Sequence, residues 1–202
     1  MTGISLATVT DLDRWLVKGD LRPVGGRGPN AARMGPQEAA RLLTAVLASP
    51  QSNEAAEAVL RYGQTRSDKT HSSKGLFENI GLDELTGLPA RHSFIDGLAA
   101  LIGSATSGSL AKLLSRASSK PGPEIEVVAL TSGTFGRIKI SGLPNKPIAT
   151  VEYVLSTEQG VAGKGRAPHS GRLEKPMVGD LRESRRISER TILGIGRLLA
   201  TG

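Results

Sequence analysis

The chain has 202 residues, with 26 Lys and Arg against 19 Asp and Glu and a formal net charge of +7. It contains no Cys, which excludes disulfides, thiolate metal sites and a Cys nucleophile, and it has no apolar run long enough to cross a bilayer. Aromatic residues make up 3% of the chain, so the core must be built from Leu, Ile, Val and Ala, while the excess of positive charge favours an acidic partner such as nucleic acid.

Residues Met1 to Val9 lack a basic start followed by a long apolar stretch, so no secretory leader is expected and the expected location is cytoplasmic. Thr10 and Asp13 have the spacing of a capping box, and Asp11 adds negative charge to the same first turn. Leu12, Trp15 and Leu16 follow at helical spacing, and Gly19 is the expected stop. Leu21 and Pro23 lead into a loop over residues 25–35. Pro36 suits a first helical position, and Gln37 to Ala48 reads as a second helix with Ala39, Leu42, Leu43, Val46 and Leu47 on one face. Pro50 ends it, and a third, Ala-rich helix spans Glu54 to Tyr62.

Residues 63–75 are polar, with no residue of the aliphatic core type, and read as a linker or exposed loop. Helical patterns return at Leu88 to Ile102 and Leu110 to Leu114 and break again between Ser118 and Pro123. Three strand-like runs follow: Ile125 with Val127 and Val128, then Ile138 and Ile140, then Val151, Tyr153 and Leu155. Gly133, Gly136 and the Gly142-Leu-Pro-Asn145 stretch punctuate them, and such short connections predict an antiparallel three-stranded meander. Residues 160–175 are rich in Gly, Arg and Lys, and a last amphipathic helix is expected between Asp180 and Ala200. The fold class predicted is α+β. Residues 1–62 form an N-terminal helical region, 63–75 a linker, and 76–202 an α+β region for oligomerisation or partner binding.

The cations cluster in two places. Arg14 and Lys18 are four apart and share a helical face. Arg22, Arg27 and Arg33 lie on the irregular stretch that follows, where glycines let the backbone approach a sugar–phosphate edge and Asn30 offers a paired donor and acceptor to a base. Near the C-terminus, Arg182, Arg186, Arg190 and Arg197 fall at spacings that keep them on one helical stripe, beside an apolar arc of Ile187, Thr191, Ile195 and Leu198. That stripe offers a second basic surface, although its simpler reading is the solvated outer face of an amphipathic helix.

Trp15-Leu-Val-Lys-Gly-Asp-Leu-Arg-Pro23, followed by Gly25-Gly-Arg-Gly28 through Arg33 and a helix opening at Pro36, resembles the MerR-like winged helix-turn-helix group. The resemblance covers about forty residues, 10–48. It implies that the helix before Gly19 lies in the major groove and that the arginine–glycine wing contacts the DNA backbone or minor groove. The function it implies is that of a bacterial or phage regulator of transcription binding duplex DNA. The alternative is a phage DNA-packaging recognition subunit or other non-enzymatic adaptor, with self-association or a protein partner engaging the C-terminal half.

No catalytic or metal-binding pattern stands out. His71, His92 and His169 are far apart in sequence and lack a second ligand at metal spacing. Gly163-Lys-Gly165 lacks the frame of a phosphate loop, and Thr131-Ser-Gly-Thr134 reads as a turn. Neither an enzyme activity nor a cofactor, metal or membrane is predicted.

Overall fold

The computed structural model describes residues 3–23, 34–68, 77–78, 80–116, 122–131, 133–143, 145–155 and 183–201. Helix α1 spans Leu6–Lys18, α2 Pro36–Ala48 and α3 Ala55–Gly63, the last preceded by a 3-10 turn at Ser52–Glu54. Strand β1 (Thr65–Asp68) comes next, then α4 (Asp83–Thr86), α5 (Phe94–Thr106) and α6 (Ser109–Ser115). The chain then forms β2 (Glu124–Leu130), β3 (Phe135–Ser141), β4 (Ala149–Leu155), β5 (Ser184–Ser188) and α7 (Glu189–Thr201). The protein is thus α+β, with a five-stranded, fully antiparallel sheet in the order β1-β4-β3-β2-β5.

The sheet has five strands where the sequence predicts three. The three predicted runs form its centre, as β2, β3 and β4, and the two additional strands are its edges. Strand β1 takes Thr65 to Asp68 out of the expected linker. Its inward side chains are hydroxyls rather than hydrocarbon, so it carries no apolar signal. Thr65 is fully buried and donates to Tyr62 O at 2.6 Å while accepting from Phe94 N at 3.0 Å. Ser67 Oγ donates to Ala90 O at 3.0 Å. Both of these β1 hydroxyls are paired, which offsets the cost of burying them.

Strand β5 corrects the expected helix from Asp180. Helix α7 begins at Glu189, so Arg186 and Ile187 lie on a strand, and Arg182 lies outside the described residues. Period-two alternation explains the difference: Arg185 and Ile187 face inward and Arg186 outward, which a 3.6-residue period does not allow. The four arginines therefore do not share one helical stripe; only Arg190 and Arg197 belong to α7. Helix α5 likewise starts at Phe94, six residues after the predicted Leu88, where Ser93 and Asp96 form a reciprocal capping box.

One face of the sheet is buried through Ile125, Val127, Ala129, Ile138, Ile140, Val151 and Tyr153, and α5 and α2 pack over it. Buried side chains from Leu12 in α1 to Ile192 in α7 form one contiguous cluster, so the first three helices share a core with the sheet. Its rings gather at the start of α5, where Tyr62 meets Phe94 edge-on at 5.1 Å and Phe94 meets Tyr153 at 5.5 Å. Helix α7 reaches α5 through Gly196, where an added Cβ would lie 2.5 Å from Ala105 Cβ. No single helix among the described residues is long and apolar enough to cross a membrane.

Candidate nucleic-acid interface

Helix α1 is capped five residues before the expected Thr10. Ser5 is its N-cap, its Oγ accepting from Thr8 N at 3.1 Å, and Thr10 Oγ1 instead turns back to Leu6 O at 2.9 Å. Leu12 and Leu16 are buried against α2, α3 and the 3-10 turn. Anchoring one stripe of a helix in this way leaves the opposite stripe to solvent. Arg14 and Lys18 are on that exposed stripe, with Thr10 above them. Trp15 is half-buried against the core, and Lys18 Nζ sits 4.2 Å from the centre of its ring.

The end of α1 is built to turn the chain sharply. Asp20 N donates to Val17 O and Leu21 N to Leu16 O, the paired bonds of a Schellman motif, with Leu21 packed on the core as its apolar partner. Asp20 occupies the left-handed position at φ 55, where glycine is the usual residue. Gly19, the expected stop, is the C-cap, and it is needed for a different reason: an added Cβ would lie 2.8 Å from Ala56 Cβ, so the close approach of α1 to α3 requires no side chain there.

Two arginines hold the turn. Arg41 Nη1 on α2 donates to Leu21 O at 2.8 Å. Arg22 pairs with Asp13 of α1, its side chain 20% exposed. Of the three predicted DNA-contacting cations in the described region, two thus face solvent and the third is engaged within the protein. Arg27, Asn30 and Arg33 lie outside the described residues. The chain on the far side of them is fixed again, with Met34 packed on the core and Gly35 N donating to Glu38 Oε2 at 2.8 Å. Residues 24–33 thus connect two anchored ends, the turn after α1 and the start of α2.

The second basic cluster is dispersed. Arg186 is exposed on the outer face of the sheet, 3.9 Å from Glu126, and Arg190 and Arg197 are exposed on α7. Arg185 has a role that is not among those expected from the sequence. Its Nη1 donates to Val46 O at 2.9 Å and Ser49 O at 3.0 Å, closing the last turn of α2 with a cation. Alternation within Ser-Arg-Arg-Ile-Ser was the available signal, because it separates Arg185 from Arg186. Arg41 left no such signal.

Comparison with known proteins finds no family model that matches the chain, no curated protein similar in sequence and no solved structure similar in fold.

The remaining titratable groups of note are structural. His92 is buried; its Nδ1–H donates to Pro89 O at 2.8 Å, which leaves Nε2 to accept from the Tyr153 hydroxyl at 2.9 Å. Burial holds the His92 pKa below its ordinary value of 6.5 and pushes the Tyr153 phenol well above its own. The Tyr62 phenol is likewise raised by burial, its proton shared between Leu130 O at 2.9 Å and Phe135 O at 2.8 Å. His71 and His169 are outside the described residues. Among the described residues no three His, Asp or Glu side chains are grouped to hold a metal.

Proposed function

We propose that this protein binds duplex DNA through the outward stripe of α1 and the arginine–glycine segment that follows it, as a winged-helix regulator of transcription. In this reading α1 enters the major groove, Arg14 and Lys18 reach phosphates or base edges, and Arg27, Asn30 and Arg33 follow the backbone or minor groove beside it. The observation that carries it is the separation of roles on α1: Leu12 and Leu16 hold the helix, while Arg14 and Lys18 face outward immediately before a Schellman turn leading into the arginine–glycine segment. The net charge of +7 supports the same partner class.

The test is a titration of fluorescent duplex DNA across a salt series, for the wild type, for Arg14→Ala with Lys18→Ala, and for Arg27→Ala with Arg33→Ala. Each double variant is expected to weaken binding and to lower the log–log salt slope by about one unit for every phosphate it no longer neutralises. Absence of binding at low salt, or slopes identical to the wild type, overturns the reading.

A further inference from the structure

The two edges of the sheet are treated differently. Followed across the ladder, antiparallel pairing alternates residues whose main chain points to one neighbour with residues that point to the other. Thr131 N donates to Glu183 O, so the pair at those positions is hydrogen-bonded, and Ala129–Arg185 and Val127–Ile187 are bonded in turn. The main-chain groups of Ser184 and Arg186 consequently point away from β2. At the opposite edge the same alternation aims Ser67 N away from β4, and there it donates to His92 O at 2.9 Å. That edge is covered. On β5, among the described residues, nothing pairs with the outward amide and carbonyl groups of Ser184 and Arg186.

A cleft of about 480 Å³ runs along this open edge. Arg185, Arg186 and Ile187 form one wall, and Ile4, Thr8 and Leu12 of the α1 end form another. The end of α2 closes it with Val46, Leu47 and Ser49, and the Ser49 Oγ is buried with no hydrogen-bond partner among the described residues. Because the Arg186 side chain lies on the opposite face from Arg185 and Ile187, the edge presents a main-chain ladder flanked by an apolar floor on one side and an exposed cation on the other.

We infer that this edge receives an extended segment of a partner protein, added as a sixth strand, with alternating aliphatic and acidic side chains. The period-two geometry of a strand sends alternate side chains to opposite faces. The aliphatic ones enter the cleft against Ile4, Leu12, Val46 and Ile187, and the acidic ones lie beside Arg186. Charge selects the occupant. In a two-fold antiparallel pairing of β5 with a second copy centred on Arg186, the two arginines are directly opposite, which is destabilising; a carboxylate in that place is favourable. The inference is independent of DNA binding by α1.

The experiment uses the full chain and a capped, fluorescein-labelled peptide of alternating Glu and Val, titrated to millimolar concentration by fluorescence polarisation, with amide chemical-shift mapping of the complex. Binding is expected, with the largest shifts at Ser184 to Ile187. Arg186→Glu, a change at an exposed side chain, is expected to weaken it at least about tenfold, as is full N-methylation of the peptide, which removes its main-chain donors. A peptide of alternating Lys and Val is expected not to bind. The inference is overturned if the acidic peptide fails to bind, if the N-methylated peptide binds equally well, or if the shifts map elsewhere. Concentration-dependent dimerisation in sedimentation with no peptide bound assigns the edge to a second copy and overturns it as well.

Discussion

Asp20 sits at the point where the chain changes direction after α1. A non-glycine residue in the left-handed region costs about 1 kcal/mol or more, and a carboxylate at the C-terminal end of a helix is unfavourable to its dipole. Asp20→Gly is therefore expected to stabilise the protein by about 1 kcal/mol, seen as a higher midpoint in urea, with the chain direction after α1 unchanged. His92 gives a second prediction at the same scale. Its folded pKa lies below 6.5, so as pH falls the unfolded chain binds the proton first. Stability is then complete above about pH 7 and lost as pH falls through about 6.5 and below. Urea midpoints measured from about pH 8 to about pH 5 are expected to decline over that window, and less steeply in His92→Gln. Tyr153→Phe leaves His92 Nε2 a buried acceptor without a donor, and should cost about 1–3 kcal/mol in the same assay.

At the scale of elements, packing contacts too close to admit a side chain decide where the helices lie. Gly196 lets α7 rest on Ala105 of α5. Gly196→Ala adds a methyl where neither backbone has room and is expected to destabilise by about 1–3 kcal/mol, or to move α7 off α5. Deuterium exchange in α7 distinguishes a local loss from a global one.

How much of these elements was legible depended on where their information resided. Helix α2 carries its own start in Pro36 and its own apolar face, and it occupies nearly the predicted span. The central strands carry alternating Ile and Val and were equally readable. Strand β1 was not, because Thr65 and Ser67 are buried by bonds to Tyr62, Phe94 and Ala90, partners that only the tertiary fold supplies. Strand β5 was hidden by its arginines, which look like a helical stripe until the pairing with β2 fixes their period. At the interface, the outward stripe of α1 follows from the positions of Leu12 and Leu16. The engagement of Arg22 by Asp13 does not, since it depends on how tightly the chain turns after Lys18.

Across the whole molecule, one contiguous core joins α1 to the sheet, so the two proposed surfaces share buried side chains. Leu12 contributes to both, as an anchor of the helix proposed to meet DNA and as part of the lining of the β5 cleft. Leu12→Ala removes a buried side chain and is expected to cost about 2–4 kcal/mol. If the remaining folded population binds both the acidic peptide and duplex DNA more weakly, α1 transmits between the surfaces. Loss of stability alone, with both affinities intact after correction for the folded fraction, shows that it does not.

The lone Trp of the chain gives this region an optical signature of its own. The buried Phe and Tyr rings, Tyr62, Phe77, Phe94 and Tyr153, belong to the core, whereas Trp15 sits half-buried on α1 with the Lys18 ammonium over its face. Excitation on the red edge of the indole band therefore isolates one helix from the rest of the molecule. If Lys18 leaves the ring for a phosphate, the emission of Trp15 shifts in wavelength or intensity without any label, and Lys18→Ala abolishes that change. The same signal followed during unfolding reports when α1 detaches, against the tyrosine circular dichroism of the core.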